Sequence, residues 1–522
     1  MRKKNGALWT VTIMMIITFA GKALGLVRDS AVGSYYGTAS AVGAAFNYAS
    51  VLPRQFLDIL FASAVSASFI PVFNEVLERQ GREKAFKLSH NFISVILAAS
   101  ALVTILFMAL ANPIIHIVYG NSNNPEAMTL GASLLRIMLL TIVISCIAFS
   151  LTGVLQSLGE FNAPAAMGLV SNIVILAYFF LLMDRFGVYG LCVAYVAGWL
   201  AQLLIQLPFL IKSKFGYRFH LNLRDEGLKR IGLMMLPVMI STWVTPINIV
   251  VNGRAAQMDV YGIQAYNAIT YANNLYIVLS GVLVLSVTNV IFPKLSVQAA
   301  NVDLKAFGAT MTQTMRALLF LLVPMSFGLA ALSGPIIRLF YERNQFTPLA
   351  TDLTSSALIF FSAGICGFGL QNILIRGFYA FQEGKTPMLT SILAIAANWA
   401  LSVCLVRLMG TGGPALASSV SISLAAVAML WVMNRKVRGI VSARLFADLL
   451  KMLLIGLVMF GAVFLARDYL SGYLADTMTG RICVIALPAL AGSVIYAGLS
   501  LLTRIPEAEI VLGVVKKRIR RG

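Results

Sequence analysis

Apolar runs of about twenty residues, separated by short connections that are mostly basic, recur along the whole chain. A helix rising about 1.5 Å per residue needs a run of that length to cross a hydrocarbon layer about 30 Å thick, so the pattern predicts membrane-spanning helices. Fourteen are expected, near residues 8–28, 38–73, 91–119, 129–155, 164–183, 188–211, 231–255, 266–293, 316–341, 353–381, 387–407, 412–433, 445–466 and 482–503. The opening segment has a basic start but no small-residue cleavage motif, and is read as the first helix rather than a removed leader.

An even number of spans places both termini on one side of the membrane, and the basic residues say which. Connections on the N-terminal side carry 27 Lys and Arg, whereas the opposite side carries only Arg185, Arg343, Arg407, Arg467 and Arg481. Basic loops stay in the cytoplasm, so both termini are expected there. Topology and contact with anionic membrane lipids account for most of the formal charge of +20, and nucleic acid is excluded as a partner. At 59% hydrophobic and 11% charged residues the chain is no water-soluble enzyme. His90, His116 and His220 fall in or near loops and far apart, and the five cysteines sit singly in apolar stretches. No metal cluster, phosphate-binding loop or catalytic set can be assembled from these residues. The expectation is therefore a transporter without cofactor, driven by membrane potential or by an ion gradient, the ion undetermined.

The chain also repeats itself. Phe69-Ile70-Pro71 returns as Ile291-Phe292-Pro293, and Asn112-Pro113-Ile114-Ile115 as Gly334-Pro335-Ile336-Ile337, both 222 residues later. With one residue inserted, Glu160 and Pro164 return as Glu383 and Pro387, and Gly190 as Gly413. A repeat of six helices keeps its orientation in the membrane. The expected fold is all-α and polytopic, with about fourteen transmembrane helices: two six-helix lobes related by a pseudo-two-fold axis along the membrane normal, plus two C-terminal helices. The expected boundaries are 1–215 for the first lobe, 216–440 for the second, and 441–522 for the last two helices and the basic cytoplasmic tail. A cavity between such lobes is where alternating-access transporters bind substrate.

Eight cations lie inside or at the rims of spans: Lys22, Arg28, Arg54, Arg136, Arg254, Arg338, Arg376 and Lys451. Each costs roughly 2.5–3.5 kcal/mol at the bilayer centre, so such residues usually face a cavity and mark function. Only Asp29, Asp58 and Asp448 lie at comparable depth. Arg338, Arg376 and Lys451 sit near span ends, where snorkelling explains them. Lys22 and Arg136 admit either reading, and Arg28, Arg54 and Arg254 are the candidates for a cationic cavity. Such a cavity suits an anion, and arginine's planar fork suits phosphate oxygens in particular.

At this point the residues resemble a family. Leu24-Gly25-Leu26-Val27-Arg28-Asp29 followed by Tyr36-Gly37 is similar to the L-G-x-x-R-D…F-G signature of the MurJ (MviN) lipid II flippases, of the multidrug/oligosaccharidyl-lipid/polysaccharide exporter superfamily. Ser66–Pro71, Tyr271-Ala272-Asn273, Ser280-Gly281-Val282, Gly377-Phe378-Tyr379-Ala380 and Lys385-Thr386-Pro387 resemble further motifs of that family in the same order. The resemblance implies a flippase that moves the undecaprenyl-pyrophosphate-linked peptidoglycan precursor, lipid II, from the inner to the outer leaflet. It also implies contact with cell-wall synthesis machinery, and a groove for the polyprenyl tail at the last two helices.

On this reading the substrate-binding residues are Arg28, Arg54 and Arg254 on the pyrophosphate, with Asp29 positioning Arg28, and Lys22 and Asn274 nearby. The sequence departs from the family at several of these places. Lys22 stands where Arg is frequent, Arg54 precedes Leu57-Asp58 rather than an arginine pair, and Asn274 replaces a cavity arginine, for which Arg254 is the substitute. A cation site seen in some members maps to Asn252, Asn398, Ser402 and Ser418, none of them a carboxylate. The alternatives are a flippase for another polyprenyl-pyrophosphate-linked glycan and a non-transporting cell-wall scaffold.

Overall fold

The computed structural model describes residues 2–54, 61, 64–119, 125–242 and 244–509, and every regular element among them is a helix. Asp58 and the basic tail beyond Glu509 lie outside the described residues. Ten helices are long and apolar enough to cross a membrane, and an eleventh span is added by the pair 348–363 and 365–380, bent by 46°. These eleven fall on eleven of the expected spans. Of the other three, 8–28 lies inside the first helix, whereas 38–73 and 231–255 include residues outside the described ones. The protein is an all-α, multi-pass membrane protein.

The chain forms two compact units, Met1–Val250 and Val251–Gly522. The first holds α1 (Arg2–Tyr36), α2 (Ala41–Val51), a π-helical turn (Val65–Phe69) running into α3 (Ile70–Gln80), α4 (Arg82–Ala109) and α5 (Ala111–Tyr119). It continues with α6 (Pro125–Met138), α7 (Leu140–Ser157), α8 (Asn162–Leu181), α9 (Met183–Leu204), α10 (Leu207–Lys212) and α11 (Glu226–Thr242). The boundary falls inside α12 (Val244–Ala256). The second unit continues with α13 (Ile263–Ala300), α14 (Leu304–Ala331), α15 (Ser333–Phe340), α16 (Pro348–Ala363) and α17 (Ile365–Ala380). It ends with α18 (Lys385–Met409), α19 (Gly412–Lys436), α20 (Ala443–Tyr473) and α21 (Met478–Leu502).

The sequence repeat is a repeat of structure. Within the first unit α2 packs on α6, α4 on α7, and α9 on both α7 and α8; within the second, α13 packs on α16, α14 on α17, and α19 on both α17 and α18. Even the irregularities recur. Gly187 and Gly410 both adopt a positive φ with strongly negative ψ (55°, −147° and 56°, −135°), a backbone that a side chain would strain. The helix interruptions at Leu110 and Leu332 lie 222 residues apart, with φ, ψ of −93°, 13° and −100°, 9°. Proline is the cause: Pro113 and Pro335 lack the N–H that would bond the carbonyl four residues back, at Ala109 and Ala331. Each therefore splits what the hydropathy pattern presents as one span.

A carbonyl freed inside a membrane must find another donor. For Ala331 that donor is Arg467 Nη1 of α20, at 2.7 Å. α20 is held against α14 at the other end of the helix by ions. Arg316 of α14 donates to Asp448 of α20 at 2.7 Å and to Glu507, beyond α21, at 2.6 Å, all three side chains being largely buried. Arg316, one of the 27 basic residues counted with the connections on the N-terminal side, is thus an internal helix residue neutralised by two acids. Apolar contacts of Leu319, Phe320, Val323, Met452, Ile455 and Met459 fill the space between these two anchors. His90, expected in or near a loop, lies within α4 and packs on Phe215 and Tyr217.

At the end of the second unit near Arg338, Asp476 accepts from Arg338 at 2.9 Å and from Arg481 at 2.7 Å, and Glu342 accepts from Arg338 at 3.1 Å. The hydrogen bond from Arg481 holds the Asp476 carboxyl below its ordinary value of 3.8, against the upward pull of burial. Stability from a depressed carboxylate is present above its unfolded value and lost as pH falls through the folded one. The thermal midpoint of wild type should therefore exceed that of Asp476→Asn at neutral pH, with the gap closing only below about pH 3.8. A second prediction concerns the freed carbonyl. Arg467→Ala should destabilise by about 1–3 kcal/mol by stranding Ala331, and by clearly less in a Pro335→Ala background, where the helix regains the missing N–H. Thermal unfolding of the four proteins of this cycle measures it.

Candidate substrate-binding site

In the first unit, two glycines begin the construction. A Cβ on Gly21 would stand 3.1 Å from the Leu169 backbone nitrogen, and one on Gly25 would stand 3.4 Å from Asn172 Nδ2. Without those side chains α1 and α8 approach closely, as small residues allow in membranes. Asn172 uses the approach at both ends of its amide: Nδ2 donates to the Gly21 carbonyl at 2.8 Å, and Oδ1 accepts from Arg28 Nη1 at 2.8 Å. Arg28 also donates to Asp29 Oδ1 through Nε at 3.0 Å and through Nη2 at 2.8 Å. The two side chains are only 14% and 11% exposed. A guanidinium gripped on three of its nitrogens in low dielectric has little freedom to reorient.

Arg54 reaches the same place from the π-helical turn at 52–54 that follows α2. Its Cζ lies 5.3 Å from the centroid of the Tyr195 ring on α9, and Arg28 Cζ lies 5.6 Å from the same centroid. Both fall within the range of cation–π attraction. The ring is fixed in turn by Phe46 of α2, centroid to centroid 5.5 Å. Among the described residues no carboxylate pairs with Arg54. Arg28, Asp29 and Arg54 together carry a net positive charge, with one aromatic face within range of both guanidinium groups. Lys22 is half-buried about 1.7 turns earlier on α1 and makes no hydrogen bond with this group.

The remaining candidates belong to the second unit. Arg254 is exposed in the last turn of α12, and Asn274 is half-buried on α13. Asn252, Asn398, Ser402 and Ser418 are all buried. Three of the four meet: Asn252 Oδ1 accepts from Asn398 Nδ2 at 2.9 Å and from the Ser402 hydroxyl at 3.4 Å, while Ser402 and Asn398 Oδ1 are also 3.4 Å apart. Ser418, on α19, forms no hydrogen bond with them among the described residues. This neutral network spends its best acceptor on its own donors and brings no carboxylate to a cation. Among the described residues no three His, Cys, Asp or Glu side chains cluster to hold a metal ion.

Asn172 and Tyr195 are the members of the site that the sequence reading did not single out. Asn172 left a signal, an amide in the middle of the apolar run 164–183. Tyr195 left none, being one of 17 tyrosines in a chain rich in aromatic residues.

Comparison with known proteins decides the family. The family model described as lipid II flippase MurJ matches residues 34–482. The chain belongs to the lipid II flippase MurJ family. A probable lipid II flippase MurJ of Rhizobium tropici is 29% identical over 431 residues, covering 80% of this chain and 79% of that protein. One from Buchnera aphidicola subsp. Acyrthosiphon pisum is 28% identical over 481 residues, covering 90% and 91%. The fold is shared with a solved lipid II flippase MurJ in an inward closed conformation, with a TM-score of 0.76 at 24% identity over 93% of this chain and 98% of that one. It is shared more distantly with an inward-facing multidrug resistance MATE family transporter of the MOP superfamily, TM-score 0.67 at 15% identity over 81% and 98%.

Proposed function

We propose that this MurJ-family protein is a flippase that translocates lipid II from the inner to the outer leaflet of the bacterial cytoplasmic membrane by alternating access of its two repeats, with both termini cytoplasmic. The observation that carries the reading is the family match over residues 34–482. The chemistry of the first unit supports it. A pyrophosphate presents oxygens that a guanidinium fork binds through charge-assisted hydrogen bonds. Arg28, held by Asp29 and Asn172, meets the substrate without first having to be ordered, and Arg54 adds a second charge beside it. In the second repeat, Arg254 of α12 and Asn274 of α13 are that repeat's own candidates for substrate contact.

Charge also supplies a driving force. Each elementary charge crossing the membrane is worth about 2.3 kcal/mol per 100 mV, and a potential negative inside favours outward movement of an anion. The exposed apolar residues Phe446, Leu450, Leu453, Leu454 and Leu457 of α20 offer the polyprenyl tail a route in the second unit.

Complementation of a strain depleted of its own lipid II flippase tests the proposal, with membrane expression verified for every variant. Wild type and Arg338→Ala should rescue growth, whereas Arg28→Ala should not. Rescue by none of them would favour another polyprenyl-linked glycan or a scaffold, and rescue by all three would place the substrate away from Arg28.

A further inference from the structure

Tyr195 combines two features that the arginines and Asp29 do not explain. Its ring lies within cation–π range of both Arg28 and Arg54, and the residue is only 3% exposed. Yet among the described residues its hydroxyl, fully buried, has no hydrogen-bond partner. A buried hydroxyl left unpaired is costly, and a tyrosine in a purely packing role would serve better as phenylalanine. On a ring that lies within range of two guanidinium groups, the partner such a donor lacks is an anion's oxygen.

We infer that Tyr195 is a third substrate-binding residue of the first repeat, whose ring holds Arg28 and Arg54 beside each other and whose hydroxyl donates to a phosphate oxygen of the translocated lipid. The inference rests on the proposed function for the identity of the lipid, but not for the chemistry of the anion. The two roles belong to different atoms. The ring lowers the repulsion between two cations without adding a carboxylate, which would compete with the substrate for them. The hydroxyl adds a directional donor that distinguishes a phosphate oxygen from a halide or another simple anion. Phe46, packed on the ring, fixes where that donor stands.

The test compares wild type, Tyr195→Phe and Tyr195→Leu as purified full-length proteins in nanodiscs, with lipid II and inorganic pyrophosphate as separate probes. Thermal midpoints are taken without either. Tyr195→Phe keeps the ring and should melt no lower than wild type, because it removes an unpaired polar atom. It should nevertheless bind lipid II roughly tenfold more weakly, the worth of one hydrogen bond to a charged acceptor. Tyr195→Leu should bind more weakly still, having lost the ring that holds the arginines.

Equal affinity of Tyr195→Phe and wild type would overturn the role of the hydroxyl. So would a lower unliganded midpoint of Tyr195→Phe, which would reveal an internal partner. If wild type binds pyrophosphate but not lipid II, and Tyr195→Phe weakens the pyrophosphate binding, the anion site stands and the lipid II reading falls. Failure of wild type to bind either probe overturns both.

Discussion

Hydrocarbon offers no water to a charge or a peptide group, so the polar groups of this protein at membrane depth must be satisfied from within. That constraint explains how its arginines are held and separates those that build the fold from those available for recognition. Arg316 is met by two acids, Asp448 and Glu507, and joins α14 to α20 and to the segment after α21. Arg338 likewise meets Glu342 and Asp476. Arg467 fills a carbonyl that Pro335 has freed. In each case charge or hydrogen bonding is balanced by the surrounding protein. Arg28 meets Asp29 and shares the Tyr195 ring with Arg54, and among the described residues no second acid stands beside the two guanidinium groups.

That excess of positive charge is what the proposed site offers an anion. A fully neutralised pair at the same depth would be cheaper to bury but would offer nothing to an anion, whereas an unheld arginine would be costly and poorly aimed. Asn172 and Tyr195 resolve the conflict with neutral groups, one donating and accepting through its amide and the other offering a π face. The close approach of α1 and α8 over Gly21 and Gly25 is what allows an amide on one helix to reach a guanidinium on the other.

Much of this architecture was legible in the sequence, because a membrane reduces the hydrophobic pattern to run length and the repeat preserves its prolines. The offset of 222 residues, read from Pro113 and Pro335, reappears as matched helix interruptions at Leu110 and Leu332. The pattern did not show those interruptions, since an apolar run looks alike whether straight or broken. It also misassigned Arg316 to a connection, because a cation near a span end resembles a loop residue until its acids are seen to be Asp448 and Glu507, the latter 191 residues away in sequence. Arg28 and Arg54 stood out as intramembrane cations. Asn172 showed only as an amide within an apolar run and Tyr195 not at all, because their contribution lies in a three-dimensional meeting of helices α1, α2, α8 and α9, to which hydropathy is blind.

If Arg28 recognises substrate by being held in place and not merely by adding positive charge, Asp29→Ala separates the two contributions. The substitution makes the site more cationic while removing the acceptor of two of the Arg28 hydrogen bonds. The affinity of the purified protein for lipid II, measured beside wild type, should fall about tenfold or more if positioning governs recognition. Unchanged or tighter binding by Asp29→Ala would show that net charge suffices and that positioning of Arg28 plays no part.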